Sequence, residues 1–264
     1  RALSELGASR VSTPTLAPHF LSTSTFGNAD TAGKPTRQQY TDWTIRNSNL
    51  SDTAINPAFR ERSGTQNPAD LARQMGDVVD SSILQMGASK NTPAGPKPEF
   101  LLTAANDGMV HMLRVRENDS TYPYELKLNY MPTAATREST TDTIWDRLPD
   151  TMNPQYGKNS NKPHHHLING GIAYRQTYNG HVFAVGALGQ GGKGIYALNI
   201  GGNDHTDPTQ KTPLALSHSK QNQWLSEVPL WETANMQFGA NKTDTTTATE
   251  NKNLGYTVGM PVIG

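Results

Sequence analysis

Cysteine is absent from the 264 residues, which removes disulfides, thiolate metal ligands and cysteine nucleophiles together. Aromatic residues make up 7% of the chain and the whole hydrophobic class 34%. That is low for one dense core of this length, so a modest core carrying long polar loops is expected. No stretch of about 18 apolar residues occurs, so nothing in the sequence spans a bilayer as a helix. Net charge is missing too: 23 Lys and Arg balance 23 Asp and Glu. No global field therefore draws phosphate backbones or anionic lipid, and nucleic-acid or membrane-surface binding is not expected. The chain opens on Arg1, with neither Met nor the apolar core of a signal peptide, and a processed product or an excised piece is expected.

What is present centres on residues 100 to 200. FLLTAANDGMVHMLRV, from Phe100 to Val115, places β-favouring residues on both sides of Asn106-Asp107-Gly108. Asn and Asp tolerate left-handed backbone and Gly supplies positive φ, so the segment predicts a tight hairpin. Val110 and Met112 share one face and His111, Leu113 and Val115 the other; both are largely apolar, as in an inner strand packed between sheets. Glu125 to Met131 adds a third strand. A second unit is expected from strands at His165 to Asn169, Ile172 to Thr177, His181 to Ala187 and Gly194 to Ile200, with turns at Gly170-Gly171 and Tyr178-Asn179-Gly180. Four strands meeting in sequence make one propeller blade.

The flanks are less regular. Arg1 to Gln74 is rich in Ser, Thr, Asn, Pro and Ala and is read mostly as loop. Thr13 to Leu21 fits a short strand, Gln38 to Ile45 a strand or a helical turn, and Asn67 to Gln74 a helix capped by Asn67 with Pro68 at its first position. Met75 to Gly87 reads as an extended segment, Ala88 to Lys97 as a loop, and Thr141 to Leu148 as a short helix. Asn203 to Asn222 and Asn241 to Asn251 are polar loops. Pro229-Leu230-Trp231-Glu232 reads as a strand end and Leu254 to Ile263 as the opening strand of a further blade. The two hairpins lie about twice the compact propeller repeat of 40–45 residues apart, a difference that insertions absorb. The fold expected is all-β: a partial β-propeller with quinoprotein-like blades and long polar insertions, incomplete in this chain. Residues 1–74 form a loop-rich part of the same domain and 75–264 hold the blades. Two or three blades fall short of the four to eight that close a circle, so a subset of a longer chain is expected.

Each candidate site has a plainer competitor. Leu188 to Gly194, LGQGGKG, suggests a phosphate loop, but that needs Gly-Lys followed by Ser or Thr opening a helix, and Gly194-Ile195-Tyr196 opens a strand. A structural turn is favoured. His164-His165-His166 suggests a metal site, yet no Asp, Glu or Cys stands at ligand spacing, so His166 is read as a packed blade residue. Asp107 has the oxygen chemistry for calcium, but the spacing of a calcium loop is missing around Asp107, Asp119, Asp142 and Asp204, and turn formation accounts for it. Asp77 and Asp80, on opposite faces of an extended segment, make a poor acid–base pair. Neither a nucleophile elbow nor H-E-x-x-H occurs. Trp145, Trp224 and Trp231 are read as packing rather than as an exposed recognition surface. No catalytic, cofactor-binding or metal-binding residue is assigned.

Taken in order, GDVVDSS (Gly76 to Ser82), AANDGMVHML (Ala104 to Leu113), His166 with Ile168-Asn169-Gly170, GALGQGGKGIYALNI (Gly186 to Ile200), and PLWE (Pro229 to Glu232) followed by LGYTVGMP (Leu254 to Pro261) resemble the C-terminal propeller of the PilC/PilY-type proteins of bacterial type IV pili. The sequence departs from that pattern at Asp80, where His is usual, and at Asn169, where Asp is usual. The resemblance implies a non-enzymatic, exported module of the outer membrane, cell surface and pilus tip. Such a module supports pilus assembly by opposing retraction and mediates adhesion to host cells, with other pilus components and a host-cell receptor as partners. It also implies calcium for the longer family protein, in an acidic loop beyond Gly264 that this chain lacks. The competing reading is a quinoprotein-dehydrogenase-like propeller enzyme, for which the acid cluster and tryptophan-docking repeats are missing.

Overall fold

The structure is a computed structural model and describes residues 2–4, 35–36, 39, 42–44, 51–62, 75–89, 97–115, 120, 123–132, 150–176, 182–201, 229–233 and 255–264. Two antiparallel sheets dominate these residues. The first contains β1 (Ala2–Ser4), β2 (Leu84–Ser89), β3 (Lys97–Ala105), β4 (Met109–Val115) and β5 (Tyr124–Tyr130), in the order β1-β5-β4-β3-β2. The second runs β6-β7-β8-β9 through Ile172–Gln176, Val182–Ala187, Ile195–Gly201 and Pro229–Glu232. Apart from β1, each sheet is a four-stranded meander in chain order. That is the architecture of a propeller blade.

The first hairpin forms where the sequence predicts it. Ala105 pairs with Met109, Gly108 N–H donates to Ala105 O at 3.0 Å, and Gly108 takes φ 82°. A side chain at that φ is strained, so glycine suits the last turn position. Met109, Val110, His111 and Met112 are buried on both faces of β4, as expected of an inner strand.

The sheets meet through one face of each. Leu102, Ala104, Val110, Met112, Leu128 and Tyr130 from the first share a core with Ile172, Ala184, Tyr196, Leu198 and Ile200 from the second. Alternation places these residues on one face of each strand. The Tyr130 and Tyr196 rings lie 6.1 Å apart at 45° across the seam. Tyr196 lies directly over Gly186, its cross-strand partner; a methyl at Gly186 would overlap the ring. Glycine is required there by this close approach.

Several expectations are corrected. The segment expected to be extended from Met75 to Gly87 joins a ladder only from Leu84, because residues 75–81 spend backbone and side-chain hydrogen bonds on the β3–β4 turn and on β3 instead. His165 to Asn169 is not a strand. The fourth strand of the second blade is Pro229–Glu232, paired with β8, so the blade includes a long insertion. Residues 255–264 do not open a strand ladder; one bridge joins Thr257 to Gly189, and Gly171 N–H donates to Gly259 O at 3.2 Å. The expected strand at Thr13 to Leu21, the helices at Asn67 to Gln74 and Thr141 to Leu148, the turn at Tyr178-Asn179-Gly180 and the loops at Asn203 to Asn222 and Asn241 to Asn251 lie outside the described residues.

Part of the stretch before residue 75 is ordered by its own chemistry. Residues 42–44 are helical, and a single turn at Asp52–Ile55 is capped by Ser51, whose hydroxyl accepts from Ala54 N–H at 3.2 Å. The Arg62 guanidinium grips Asp52 through two bonds of 2.6 and 2.9 Å and stacks 3.7 Å from the Trp43 ring. Arg60 N–H donates to Met152 O at 2.7 Å, and its Nε donates to Thr151 O at 3.1 Å. Trp43 and Phe59 thereby join the core that the sheets share.

Candidate functional site

The residues singled out by the sequence gather where the β3–β4 turn, the β7–β8 turn and the segments leading into β2 and β6 meet. Asp107 is the hub of the first turn. Its carboxylate accepts from Met109 N–H at 3.0 Å and Gly76 N–H at 2.6 Å, and lies 2.9 and 3.1 Å from His111 Nε2. Both oxygens are engaged within the protein, and the Asp107 and His111 side chains are nearly sealed from solvent. Asn106 ties the turn to both lead-in segments: its N–H donates to Asp77 O at 2.8 Å and its Oδ1 accepts from Leu167 N–H at 3.3 Å.

Asn169 does the same for the second turn. Its Oδ1 accepts from Gln190 N–H at 2.7 Å, its N–H donates to Leu188 O at 3.3 Å, and its Nδ2 donates to Asp80 Oδ2 at 3.2 Å. LGQGGKG closes on itself: Leu188 N–H donates to Gly194 O at 3.1 Å and Gly191 N–H to Leu188 O at 3.0 Å, after which β8 begins. It opens a strand, not a helix, and so lacks the anion-binding geometry of a phosphate loop. Asp77 and Asp80 are both exposed. Asp77 meets the first turn through its backbone, Asp80 meets Asn169 through its side chain, and nothing pairs the two as acid and base.

The histidine triplet packs around Tyr156. The Tyr156 hydroxyl accepts from His165 N–H at 2.8 Å and donates to His165 O at 3.1 Å. The His164 ring lies 5.4 Å from Tyr156 and 5.9 Å from His166, edge to face with the latter. Burial, followed by His166 and Arg60, holds the His164 imidazole below its ordinary pKa. Burial pushes the Tyr156 phenol up and, with Arg62, pulls Arg60 down. Among the described residues, no three or more His, Cys, Asp or Glu side chains are grouped to hold a metal.

Trp231 on β9 is 44% exposed, beside the exposed Leu230, because β9 is the outer strand of its sheet and this row faces away from the first blade. Trp145 and Trp224 lie outside the described residues, as do Asp119, Asp142 and Asp204. Sequence reasoning missed the seam itself. Tyr130 donates to the buried Glu232 carboxylate across the two sheets, and burial, then Glu232, drives the Tyr196 phenol far up. Only the position of Glu232 at the end of an apolar strand hints at it. At this end of the molecule carboxylates, amides and imidazoles bind backbone groups and each other.

A family model described as the PilY1 beta-propeller domain matches residues 75–264. No curated protein and no solved structure gives a significant match.

Proposed function

The chain belongs to the PilY1 β-propeller family, a premise from which we propose that it is a non-enzymatic display module at the pilus tip and outer membrane, supporting pilus assembly by opposing retraction and mediating adhesion to host cells. The match over residues 75–264 carries the reading and makes the protein a type IV pilus-related, exported propeller module whose partners include pilus components. The polar residues gathered at the turns support the absence of catalysis in the proposal, because their side chains are occupied in holding turns and lead-in segments together. Residues 1–74 are proposed as a loop-rich part of the same domain, supported by Trp43 and Phe59 in the shared core. Recognition of a host-cell receptor is assigned to the long polar insertions and to the exposed Leu230 and Trp231, which stand between two of them.

Calcium is assigned to the longer family protein, outside residues 1–264. Asp107, the residue here with the best oxygen chemistry, uses both oxygens within the protein and does not fit a calcium ligand. Among the described residues, no helix is long and apolar enough to cross a membrane. The test of adhesion is competition: purified chain added to piliated bacteria reduces their attachment to host cells, and a Trp231→Ala, Leu230→Ala double variant competes less well. Attachment unaffected by saturating chain contradicts the adhesive role.

A further inference from the structure

Thr103, His111 and Asn129 stand directly opposite one another on β3, β4 and β5, in one cross-strand row. All three are buried, His111 and Asn129 completely. Four of their polar atoms find no hydrogen-bond partner in the protein: Thr103 Oγ1, His111 Nδ1, Asn129 Oδ1 and Asn129 Nδ2. Buried polar groups are paired with protein or with ordered water in the great majority of cases. The fold does not demand polarity there. At the same distance from the turn, the second sheet builds its outward row from Ala173, Val185, Ala197 and Trp231.

The identity of the missing partner follows from the donors and acceptors. His111 Nε2 faces the Asp107 carboxylate, so in the neutral ring the proton sits on Nε2 and Nδ1 presents a lone pair. Asn129 offers one acceptor and one donor, and the Thr103 hydroxyl offers both. A cation would use only the lone pairs and leave the Asn129 amide N–H groups unpaired. An anion would face the His111 and Asn129 lone pairs, with the Asp107 carboxylate just behind. A water molecule gives two protons and accepts two, and about three protein partners is the usual complement of a buried one. Directly opposed side chains on neighbouring strands have Cβ atoms roughly 4.5–5.5 Å apart, a span that one water bridges, so the row takes water between His111 and each of its neighbours.

We infer that Thr103, His111 and Asn129 form an internal water site, on the face of the first blade turned away from the second. The bound water fixes the His111 ring, which in turn holds Asp107 on Gly76 and Met109. It is therefore part of the mechanism that sets the β3–β4 turn against the segment leading into β2, independently of any role in the pilus.

Thr103→Val, equal in shape but without the hydroxyl, separates the wet site from a dry one by sign. If water is bound, the variant strips one of its partners and the midpoint of thermal unfolding falls. A dry row would instead lose an unsatisfied hydroxyl, and the midpoint would rise. A crystal structure of the full chain near atomic resolution supplies the second measurement. Density peaks between these side chains, within hydrogen-bonding distance of Thr103 Oγ1, His111 Nδ1 and the Asn129 amide, support the site. An unchanged or raised midpoint, or three side chains bonded directly to one another with no peak between them, overturns it.

Discussion

Asn169 Nδ2 donates to the Asp80 carboxylate at 3.2 Å and so joins the segment leading into the first blade to the one leading into the second. These are the two positions where the resemblance read from the sequence leads one to expect other residues, His at 80 and Asp at 169. The two departures meet in space.

The two residues should couple weakly, because Asp80 is exposed and Asn169 buried. Asp80→Ala is expected to cost under about 1 kcal/mol, and Asn169→Ala about 1–3 kcal/mol, since it also leaves Gln190 N–H without its acceptor. A double-mutant cycle by urea unfolding should return roughly 0.5 kcal/mol of coupling or more. Strict additivity would mean that the bond contributes nothing in solution.

Gly186→Ala tests the packing of the seam. A methyl there overlaps the ring of Tyr196, which is wholly buried and has no room to retreat. Overpacking of this kind costs about 1–3 kcal/mol. The denaturant midpoint of Gly186→Ala should fall, and Tyr196→Leu in the same chain should cost less than it does in the parent. Equal costs in the two backgrounds would remove Tyr196 from the account.

Tyr130→Phe removes the donor that reaches Glu232 from the opposite sheet. Hydrogen bonds to charged groups contribute about 1.5–3 kcal/mol, and Glu232 is buried. The loss should appear in chemical denaturation as a lower midpoint with an unchanged slope. A cost below roughly 0.5 kcal/mol would show the contact to be incidental.

Acid should weaken the fold around Tyr156. The His164 pKa is held below its ordinary value of 6.5, so the unfolded chain takes up this proton before the folded one does. Stability is full above about pH 6.5 and falls as pH drops from there towards the lower folded value. Thermal unfolding between pH 7.5 and pH 5 should show a decline that His164→Asn reduces. Identical profiles for the two proteins would exclude His164 as its source.

The hairpin at Asn106-Asp107-Gly108 was legible because turn chemistry is local: three adjacent residues carry the backbone requirement, and β-favouring residues flank them. β5, β6, β7 and β8 were legible for the same reason. Pro229 to Glu232 was legible as strand, but not as the fourth strand of the second blade, since β9 follows β8 only after residues 202–228. His165 to Asn169, nearer in the chain, is not that strand, because its groups are committed to the two turns. The Asp52–Ile55 turn was overlooked although Ser51 is a good capping residue, because a single turn has no apolar period to announce it. Of the candidate site, the residue types were visible but not their company. Nothing in sequence spacing brings Asp107 to Gly76, or Asn169 to Asp80.

A pilus-biogenesis role for this propeller is tested by counting pili. In-frame deletion of residues 75–264 should abolish surface pili in cells able to retract them, and inactivating the retraction motor in the same strain should restore them. Normal pilus numbers in the retraction-competent deletion strain, or failure of the motor mutation to restore pili, would contradict a role in opposing retraction.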